Sequence, residues 1–290
     1  MDLVSVIVCA RNEEQTIGDQ LTALAAQECD VAWELLVVDN GSTDATADRV
    51  LTFCERIPGL RVVDASERPG VCYARNEGAA AANGEYLLFI DADDRVAPGW
   101  LQTMVDFADR FDAICGNIRR FRVEPDGAEV FEAEAHVELP KHGYDFLPSF
   151  FGGNFGIRAD VFRELGGFDL EYDRIRGGDD VELSWRLVLN GNSLGFVPDA
   201  LLLYQARSDL LSLVRQAHRD SSASPYLYRQ FRSAGMQRSS TREAVLWWFR
   251  APLRIVRGGR SKDVRRHLAR ELGWHTGRIA GSVKARTMYL

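Results

Sequence analysis

Residues 86–94 read YLLFIDADD, an apolar run followed at once by the carboxylates of Asp91, Asp93 and Asp94. The apolar run predicts a buried strand. An unpaired carboxylate that loses its water costs on the order of several kcal/mol, so the pattern predicts a cation at the end of this strand. Carboxylate oxygens suit Mg2+ or Mn2+, which commonly bridge to phosphates. A solvated acidic turn is the alternative interpretation.

The sequence before this strand alternates short apolar runs with helical patterns. The apolar runs lie at residues 3–9, 34–38 and 60–63, and the helical patterns lie at 16–26 and 45–55. Strands that alternate with helices predict a parallel sheet with right-handed crossovers.

Polar clusters follow three of the four predicted strands. They are residues 11–13, 39–40 and 91–94. Open parallel sheets bind their ligands at the carboxyl ends of the strands, so we expect the three clusters to meet in one crevice.

Length, composition and cysteine content indicate a globular intracellular protein. The 290 residues are 46% hydrophobic, which is enough for one large α/β domain, with or without a helical appendage. The five cysteines include no Cys-x-x-Cys pair, which favours reduced thiols in the cytoplasm. We expect no signal peptide and no membrane-spanning helix, because no apolar run reaches the required length.

Two common nucleotide-binding motifs are absent from the sequence. No Gly-x-Gly-x-x-Gly follows the first strand, and no Gly-x-x-x-x-Gly-Lys-Ser/Thr occurs. A dinucleotide enzyme and a P-loop NTPase are therefore unsupported. A metal can hold phosphates and a carboxylate such as Asp39 can accept hydrogen bonds from a nucleoside, which suits a nucleoside-diphosphate donor.

Five segments in order resemble the family 2 glycosyltransferases of the GT-A fold. They are VSVIVCARNEE, LLVVDNGSTDAT, RPGVCYARNEGAAAANGEYLLFIDADD, GGNFGIRADVFRELGGFD and GGDDVELSWRL. The resemblance implies a Rossmann-like, mostly parallel sheet flanked by helices. It implies a GT-A domain at 1–220, with a nucleotide-sugar-binding half at 1–115 and an acceptor-binding half at 116–220. Residues 221–290 would form a helical extension.

The resemblance also implies roles for individual residues. The donor-binding residues would be Ala10, Arg11, Glu13, Asp39, Arg75, Asp91 and Asn154. Asp91 and Asp93 would hold Mg2+ or Mn2+, and Asp94 would support them or cap a helix. A UDP-sugar is the first expectation for the donor. For Arg75 a helix-surface cation is an equal alternative.

Residues 177–187, GGDDVELSWRL, place two aspartates at the start of a helix. An ordinary N-cap uses one side chain, so two adjacent aspartates favour a functional role. The resemblance implies that Asp180 is the general base, with Asp179 as the second candidate. It also implies an inverting displacement at the anomeric carbon.

Two departures from the family pattern stand out. Gln205 follows the strand after the acidic pair, where many relatives carry histidine, which weakens the expected hold on a metal. Asp220 ends the segment QAHRD, where processive synthases carry tryptophan. We therefore expect transfer of one sugar, or of few, in the synthesis of a glycan, a cell-envelope polysaccharide or a glycolipid.

The C-terminal 49 residues differ in charge from the rest of the chain. Residues 242–290 carry 12 Lys/Arg and 3 Asp/Glu, against 23 and 39 in residues 1–241. Basic and aromatic residues share the stretch 242–270, which suits an anionic membrane surface on the inner face of the cell membrane and a lipid-linked or glycan acceptor. Packing on the catalytic domain, or on a second copy in a homodimer, is the alternative. A nucleic-acid partner is not expected.

Three further interpretations stay open. The aromatic residues in 136–153 would face the acceptor or pack in the core. A nucleotide-sugar-binding protein without catalysis could keep the DADD motif. A phosphotransferase of the haloacid dehalogenase type also has Asp-x-Asp after a strand, but Arg95 stands where that motif has Thr or Val.

Overall fold

The computed structural model describes residues 1–57, 59–123, 128–131, 136–206, 209–258 and 261–290. The strands are β1 (Leu3–Ala10), β2 (Ala32–Asp39), β3 (Arg61–Asp64), β4 (Tyr86–Asp91), β5 (Arg95–Val96), β6 (Ala113–Val123), β7 (Glu129–Phe131), β8 (Asn154–Arg158) and β9 (Leu194–Gln205). The helices are α1 (Ile17–Ala25), α2 (Thr46–Leu51), α3 (Val71–Ala81), α4 (Trp100–Ala108), α5 (Ala159–Glu164), α6 (Glu171–Ile175), α7 (Asp179–Leu189), α8 (Leu210–Ser222), α9 (Ser224–Phe231), α10 (Thr241–Gly258) and α11 (Lys262–Ala285).

The strands form one mixed sheet in the order β3-β2-β1-β4-β8-β6-β9-β5, and β7 pairs with β6. The four strands predicted from residues 3–90 are present and parallel. β8 then runs antiparallel to both β4 and β6. The carboxyl ends of the parallel strands β1, β2 and β4 therefore lie at one edge of the sheet, as the positions of the polar clusters predicted.

Helices cover both faces of the parallel strands. On one face, α1 buries Ile17, Leu21 and Leu24 completely against the sheet. On the other face, α3 approaches very closely, because a Cβ on Gly78 would lie 2.6 Å from Cγ2 of Ile7. Because helices bury both faces of the sheet, a central strand such as β4 must be apolar along almost its whole length.

The chain divides into two compact units. The first comprises residues 1–142, 147–173 and 179–206 and contains the sheet. The second comprises residues 143–146, 174–178 and 207–290. The sequence-based division after residue 220 falls inside α8, which belongs to the second unit, and the division into functional domains stays a prediction.

The second unit is helical, and its helices α8 and α11 pack backbone against backbone. Gly273, Gly277 and Gly281 recur at four-residue spacing on α11. A Cβ on Gly277 would lie 2.1 Å from the carbonyl oxygen of His218, so only glycine allows this approach.

No helix in the described part of the chain combines the length and the apolar composition that a membrane span needs. The five cysteines are free thiols, of which Cys72 and Cys115 are buried and Cys54 is exposed.

Candidate active site

The acidic turn after β4 is held by a glutamine from α1. Gln20 is fully buried. Its Nε2 donates to the carbonyl oxygen of Asp91 at 3.0 Å, and its Oε1 accepts from the backbone N–H of Val96 at 3.0 Å. One side chain therefore fixes both ends of the turn that carries the carboxylates. Sequence reasoning missed Gln20; a polar residue on the apolar face of a predicted helix is the signal that could have revealed it.

Asp91, Asp93 and Asp94 converge on a potential cation site. One carboxylate oxygen from each lies within 4.8 Å of the others. Asp94 is buried, and burial together with the charges of Asp91 and Asp93 raises its pKa well above the usual value. The backbone N–H of Gln205 donates to Asp94 and opposes this rise.

This donor set fits a hard divalent cation, because a cation would neutralise the repulsion that raises the pKa of Asp94. The predicted ligands Asp91 and Asp93 are thus brought together, and Asp94 joins them as a third candidate. The sequence analysis predicted only a supporting or helix-capping role for Asp94.

Arg75 connects the acidic turn to the start of α7. Its side chain is 5% exposed. Nη1 donates to Oδ2 of Asp179 at 2.7 Å, while Nη2 donates to Oδ1 of Asp91 at 3.0 Å and to the carbonyl oxygen of Gly152 at 2.8 Å. The guanidinium also lies over the ring of Phe168, 5.2 Å from its centroid. The alternative of a helix-surface cation is therefore wrong for Arg75.

The two aspartates of α7 differ in environment. Asp179 is buried, and burial raises its pKa to about 6, although the charge of Arg75 opposes the rise. Asp180 is partly exposed, and its Oδ2 accepts from the backbone N–H of Gly152 at 3.1 Å. Asp179 is committed to Arg75, whereas Asp180 keeps a solvent-accessible carboxylate, which a general base needs in order to reach an acceptor.

Gly152 and Gly153 let the backbone pass between these carboxylates. A Cβ on Gly153 would lie 2.6 Å from Oδ2 of Asp91, and one on Gly152 would lie 3.2 Å from Cβ of Asp180. A side chain at residue 153 would displace Asp91 from its present position.

The ends of β1 and β2 bring the predicted nucleoside-binding residues to the same edge. Ala10 is paired in register with Asp39. Asp39 accepts hydrogen bonds from the backbone N–H and the hydroxyl of Ser42 through Oδ1. Arg11 is exposed, and the N–H of Glu13 donates to Oγ1 of Thr46 at 2.8 Å.

Asn154 lies beside the acidic turn, paired with Ile90, but its side chain is not free to contact a donor. Its side chain is fully buried, with Nδ2 donating to the carbonyl oxygens of Asn117 and Ala200 and Oδ1 accepting from the indole N–H of Trp100. Because protein groups already occupy both polar atoms of its side chain, the Asn154 amide connects β8 to β6, β9 and α4, and the predicted donor contact through this side chain is wrong. The sequence could not distinguish the two roles, because Asn154 directly follows the glycines that do reach the acidic turn.

The predicted acceptor-facing aromatics pack in the core. The ring of Phe150 stacks on Phe155 with centroids 4.1 Å apart, and Phe151 is also buried. In the second unit, the hydroxyl of Tyr144 is hydrogen-bonded to Ser224 Oγ at 3.0 Å. The packing interpretation is confirmed for these three residues.

The N-terminus of α3, which carries Arg75, is capped from a distant part of the chain. Asp173 accepts from the backbone N–H groups of Cys72 and Tyr73 at 2.8 and 3.1 Å. Gly70 precedes the helix, and a Cβ there would lie 2.1 Å from Cγ of Asp173. This capping carboxylate was not foreseen, because no local pattern connects residues about 100 positions apart.

A model of glycosyl transferase family 2 matches residues 5–166 of the 290-residue chain. The chain belongs to this family. A second model, of glycosyl transferase family group 2, matches residues 86–274. The family matches therefore cover the acidic turn, Arg75 and, in the second model, the two aspartates of α7.

Similar proteins include glycosyltransferases from several organisms. The family 2 chain is 27% identical over 241 residues to the pre-mycofactocin glycosyltransferase of Mycobacterium tuberculosis, covering 78% of this chain and 48% of that protein. It is 30% identical over 222 residues to the succinoglycan biosynthesis protein ExoO of Rhizobium meliloti, covering 73% of this chain and 63% of that protein. The chain thus spans about half the length of the mycobacterial relative.

Solved structures with the same fold include two nucleotide-sugar complexes. The mannosyltransferase PcManGT from Pyrobaculum calidifontis, in complex with GDP-Man and Mn2+, has a TM-score of 0.62 at 22% identity and covers 98% of this chain and 86% of its own. TarS 1-349 of S. aureus, in complex with UDP-GlcNAc, has a TM-score of 0.54 at 20% identity and covers 100% of this chain and 93% of its own. The predicted α/β GT-A fold of the family 2 chain is confirmed.

Proposed function

We propose that this family 2 chain transfers a sugar from a nucleoside-diphosphate sugar to an acceptor hydroxyl, with inversion at the anomeric carbon. One observation carries the proposal. Arg75 joins Asp91 of the acidic turn to Asp179 beside Asp180, so a potential metal site and a candidate base are held in one arrangement. The names of the relatives and the nucleotide-sugar complexes of the structural neighbours support the same chemistry.

The acidic turn would hold the diphosphate end of the donor. Asp91, Asp93 and Asp94 would bind Mg2+ or Mn2+, and such an ion supplies Lewis-acid stabilisation of the charge on a departing diphosphate. Ala10, Arg11, Glu13 and Asp39 would line the nucleoside pocket, with Asp39 accepting from the base or ribose through its carboxylate.

Asp180 would act as the general base on the acceptor hydroxyl. Its carboxylate is partly exposed and is oriented by the N–H of Gly152. Arg75 would act as a positioning residue, because it keeps Asp91 at the turn and occupies Asp179, leaving Asp180 as the accessible carboxylate. The acceptor would be a glycan or a lipid-linked acceptor that receives one sugar, or few.

A donor screen tests the first part of this proposal. We expect one nucleotide sugar among UDP-, GDP- and dTDP-sugars, with Mn2+ or Mg2+, to raise the melting temperature, because a ligand at 100 times its dissociation constant adds about 2.7 kcal/mol. A UDP-sugar is the first expectation. No shift with any donor class would contradict the proposal.

Replacing the candidate base tests the second part. Asp180→Asn should lower turnover by roughly 10²- to 10⁴-fold, because general-base catalysis contributes about that much, while donor binding is retained. Asp160→Asn is the matched control, since Asp160 also lies in the first turn of a helix but is exposed. Near-normal turnover of Asp180→Asn would refute its assignment.

A protein that binds nucleotide sugars without catalysis remains the second candidate. It is favoured only by the fact that the acidic turn alone would suffice for binding. Slow donor hydrolysis with Mn2+, abolished in Asp93→Asn, would identify an enzyme, whereas donor binding without release of the diphosphate would identify a binding protein. The cytoplasmic location, with or without attachment to the inner membrane face, stays a prediction.

A further inference from the structure

The second unit contains a partly open cavity of about 520 Å³. Its walls come from three helices, with Leu210 and Val214 on α8, Trp247 on α10, and Leu268 and Leu272 on α11 among the lining residues. Nine of the ten lining residues are apolar. A cavity of this volume is in the range that holds small organic ligands.

The tenth lining residue is Arg265 on α11. Its side chain is exposed, and it makes no ion pair within the described ranges of the chain. A nearby arginine differs, because Arg254 pairs with Glu271 at 3.1 Å. The cavity therefore combines an apolar wall with one uncompensated positive charge.

Trp247 forms part of the apolar wall, and its ring stacks on that of His275 with centroids 4.2 Å apart. Arg265 is the one charged residue among those that line the cavity. A lone cation beside an apolar space fits an anionic ligand with a hydrocarbon part.

The charge of the surrounding sequence also favours an anionic ligand. Residues 242–290 carry 12 Lys/Arg against 3 Asp/Glu. On α10, Trp248 in the cavity wall is 41% exposed, and the adjacent Phe249 outside the wall is 73% exposed. Basic and aromatic groups side by side are typical of surfaces that meet anionic lipids.

We propose that the cavity between α8, α10 and α11 binds the hydrocarbon chain of a lipid phosphate, whose head group pairs with Arg265. The hydrocarbon chain of the lipid fills the apolar space, and the phosphate oxygens pair with the guanidinium of Arg265. This binding is separate from sugar transfer and does not rest on the proposed transferase activity.

Dodecyl phosphate below its critical micelle concentration is the probe, titrated into the full chain by calorimetry. We expect saturable binding with one molecule per chain. Each methylene that enters the cavity should tighten binding about fourfold, so dodecyl phosphate should bind about fifteenfold more tightly than decyl phosphate. Absence of saturable binding would overturn the proposal.

Two kinds of variant test the binding of the hydrocarbon chain and the binding of the phosphate head group separately. Ala251→Phe and Ala269→Phe each fill the cavity from a different helix and should abolish binding. Arg265→Gln should weaken binding of the phosphate roughly tenfold, as loss of one charge-assisted contact does. It should leave binding of dodecanol unchanged.

Arg250→Gln is the matched control, because Arg250 is an exposed arginine on α10 that is not part of the cavity wall. Equal weakening by Arg250→Gln and Arg265→Gln would show only general attraction to the basic surface and would overturn the proposal. Unchanged binding by both cavity-filling variants would do the same. Unaltered melting temperature and donor binding in Arg265→Gln keep its result independent of folding and of the transferase proposal.

A second copy of this chain is the competing occupant. Analytical ultracentrifugation of the protein without lipid tests this alternative by measuring the oligomeric state. A monomer is expected. A dimer that Ala251→Phe dissociates would assign the cavity to a subunit interface and overturn the lipid proposal.

Discussion

Replacing Arg75 by methionine removes the central cation of the candidate active site but keeps an unbranched side chain along most of the buried stem. Two carboxylates and one carbonyl lose their donor, and Asp179 is only 9% exposed. Breaking a buried ion pair by removing one partner costs about 3–5 kcal/mol. For a domain of this size 1 kcal/mol shifts the melting temperature by about 2–4 °C. Arg75→Met should therefore melt roughly 10 °C lower than the wild type.

Thermal unfolding followed by circular dichroism at pH 7.5 is the assay, with Arg158→Met as control. Arg158 also pairs with an aspartate, Asp160 at 2.7 Å, but the two side chains are 51% and 58% exposed. Such a pair contributes about 0–1 kcal/mol, so this control should melt within about 3 °C of the wild type. Equal effects of the two substitutions would refute the claim that burial makes Arg75 different.

A second substitution tests whether the cost arises from the stranded carboxylate. Arg75→Met/Asp179→Asn removes the charge that Arg75→Met leaves unpaired, so the double variant should recover part of the lost stability, with a coupling of about 2 kcal/mol. Strict additivity of the two substitutions would show that Arg75 and Asp179 do not interact energetically.

Three further outcomes are expected. Mn2+ should raise the melting temperature of the wild type but not that of Asp93→Asn. The affinity for Mn2+ should fall as the pH falls, because the raised pKa of Asp94 lets protons compete with the ion. An affinity that calorimetry finds independent of pH would contradict this. Burial raises the pKa of Asp179 in the folded state to about 6, above its ordinary value. The folded state therefore takes up a proton first, and the wild type should gain stability relative to Asp179→Asn as the pH falls from about 7 to about 4. A constant difference in melting temperature between the two proteins across this range would show that the shift is absent. Gly153→Ala should displace Asp91, because the new Cβ would lie 2.6 Å from its Oδ2. Mn2+ binding should weaken roughly tenfold or more, as it does when the support of a metal ligand is disturbed, with little loss of helix content. Unchanged Mn2+ affinity would show that this contact does not position Asp91.

The parallel half of the sheet was predictable because its signals are local. Each strand from β1 to β4 was predicted from a short apolar run, and the polar groups at three of the four strand ends are encoded in the next few residues. Since parallel strands align their carboxyl ends, residues as far apart as Asp39 and Asp91 could be assigned to the same edge without any knowledge of contacts.

The supporting side chains were not predictable in the same way. Gln20 and Asn154 both carry side-chain amides close to functional segments. Gln20 fixes the acidic turn, whereas Asn154 connects β8 to β6 and β9. Their roles depend on which backbone groups lie opposite in three dimensions. Asp173 illustrates the same limit, because its hydrogen bonds to α3 cross about 100 residues of sequence.

The buried Arg75 also constrains the order in which the protein can be made. Its bond to Asp91 spans 16 residues, but its bond to Asp179 spans 104. While the ribosome is still adding the residues between them, the guanidinium has only half of its final carboxylate partners and cannot be desolvated cheaply. We therefore expect the packing of α3 onto the sheet to stay incomplete until α7 emerges. A truncated chain that ends before residue 179 lacks Asp179 and Asp180 and cannot complete this arrangement.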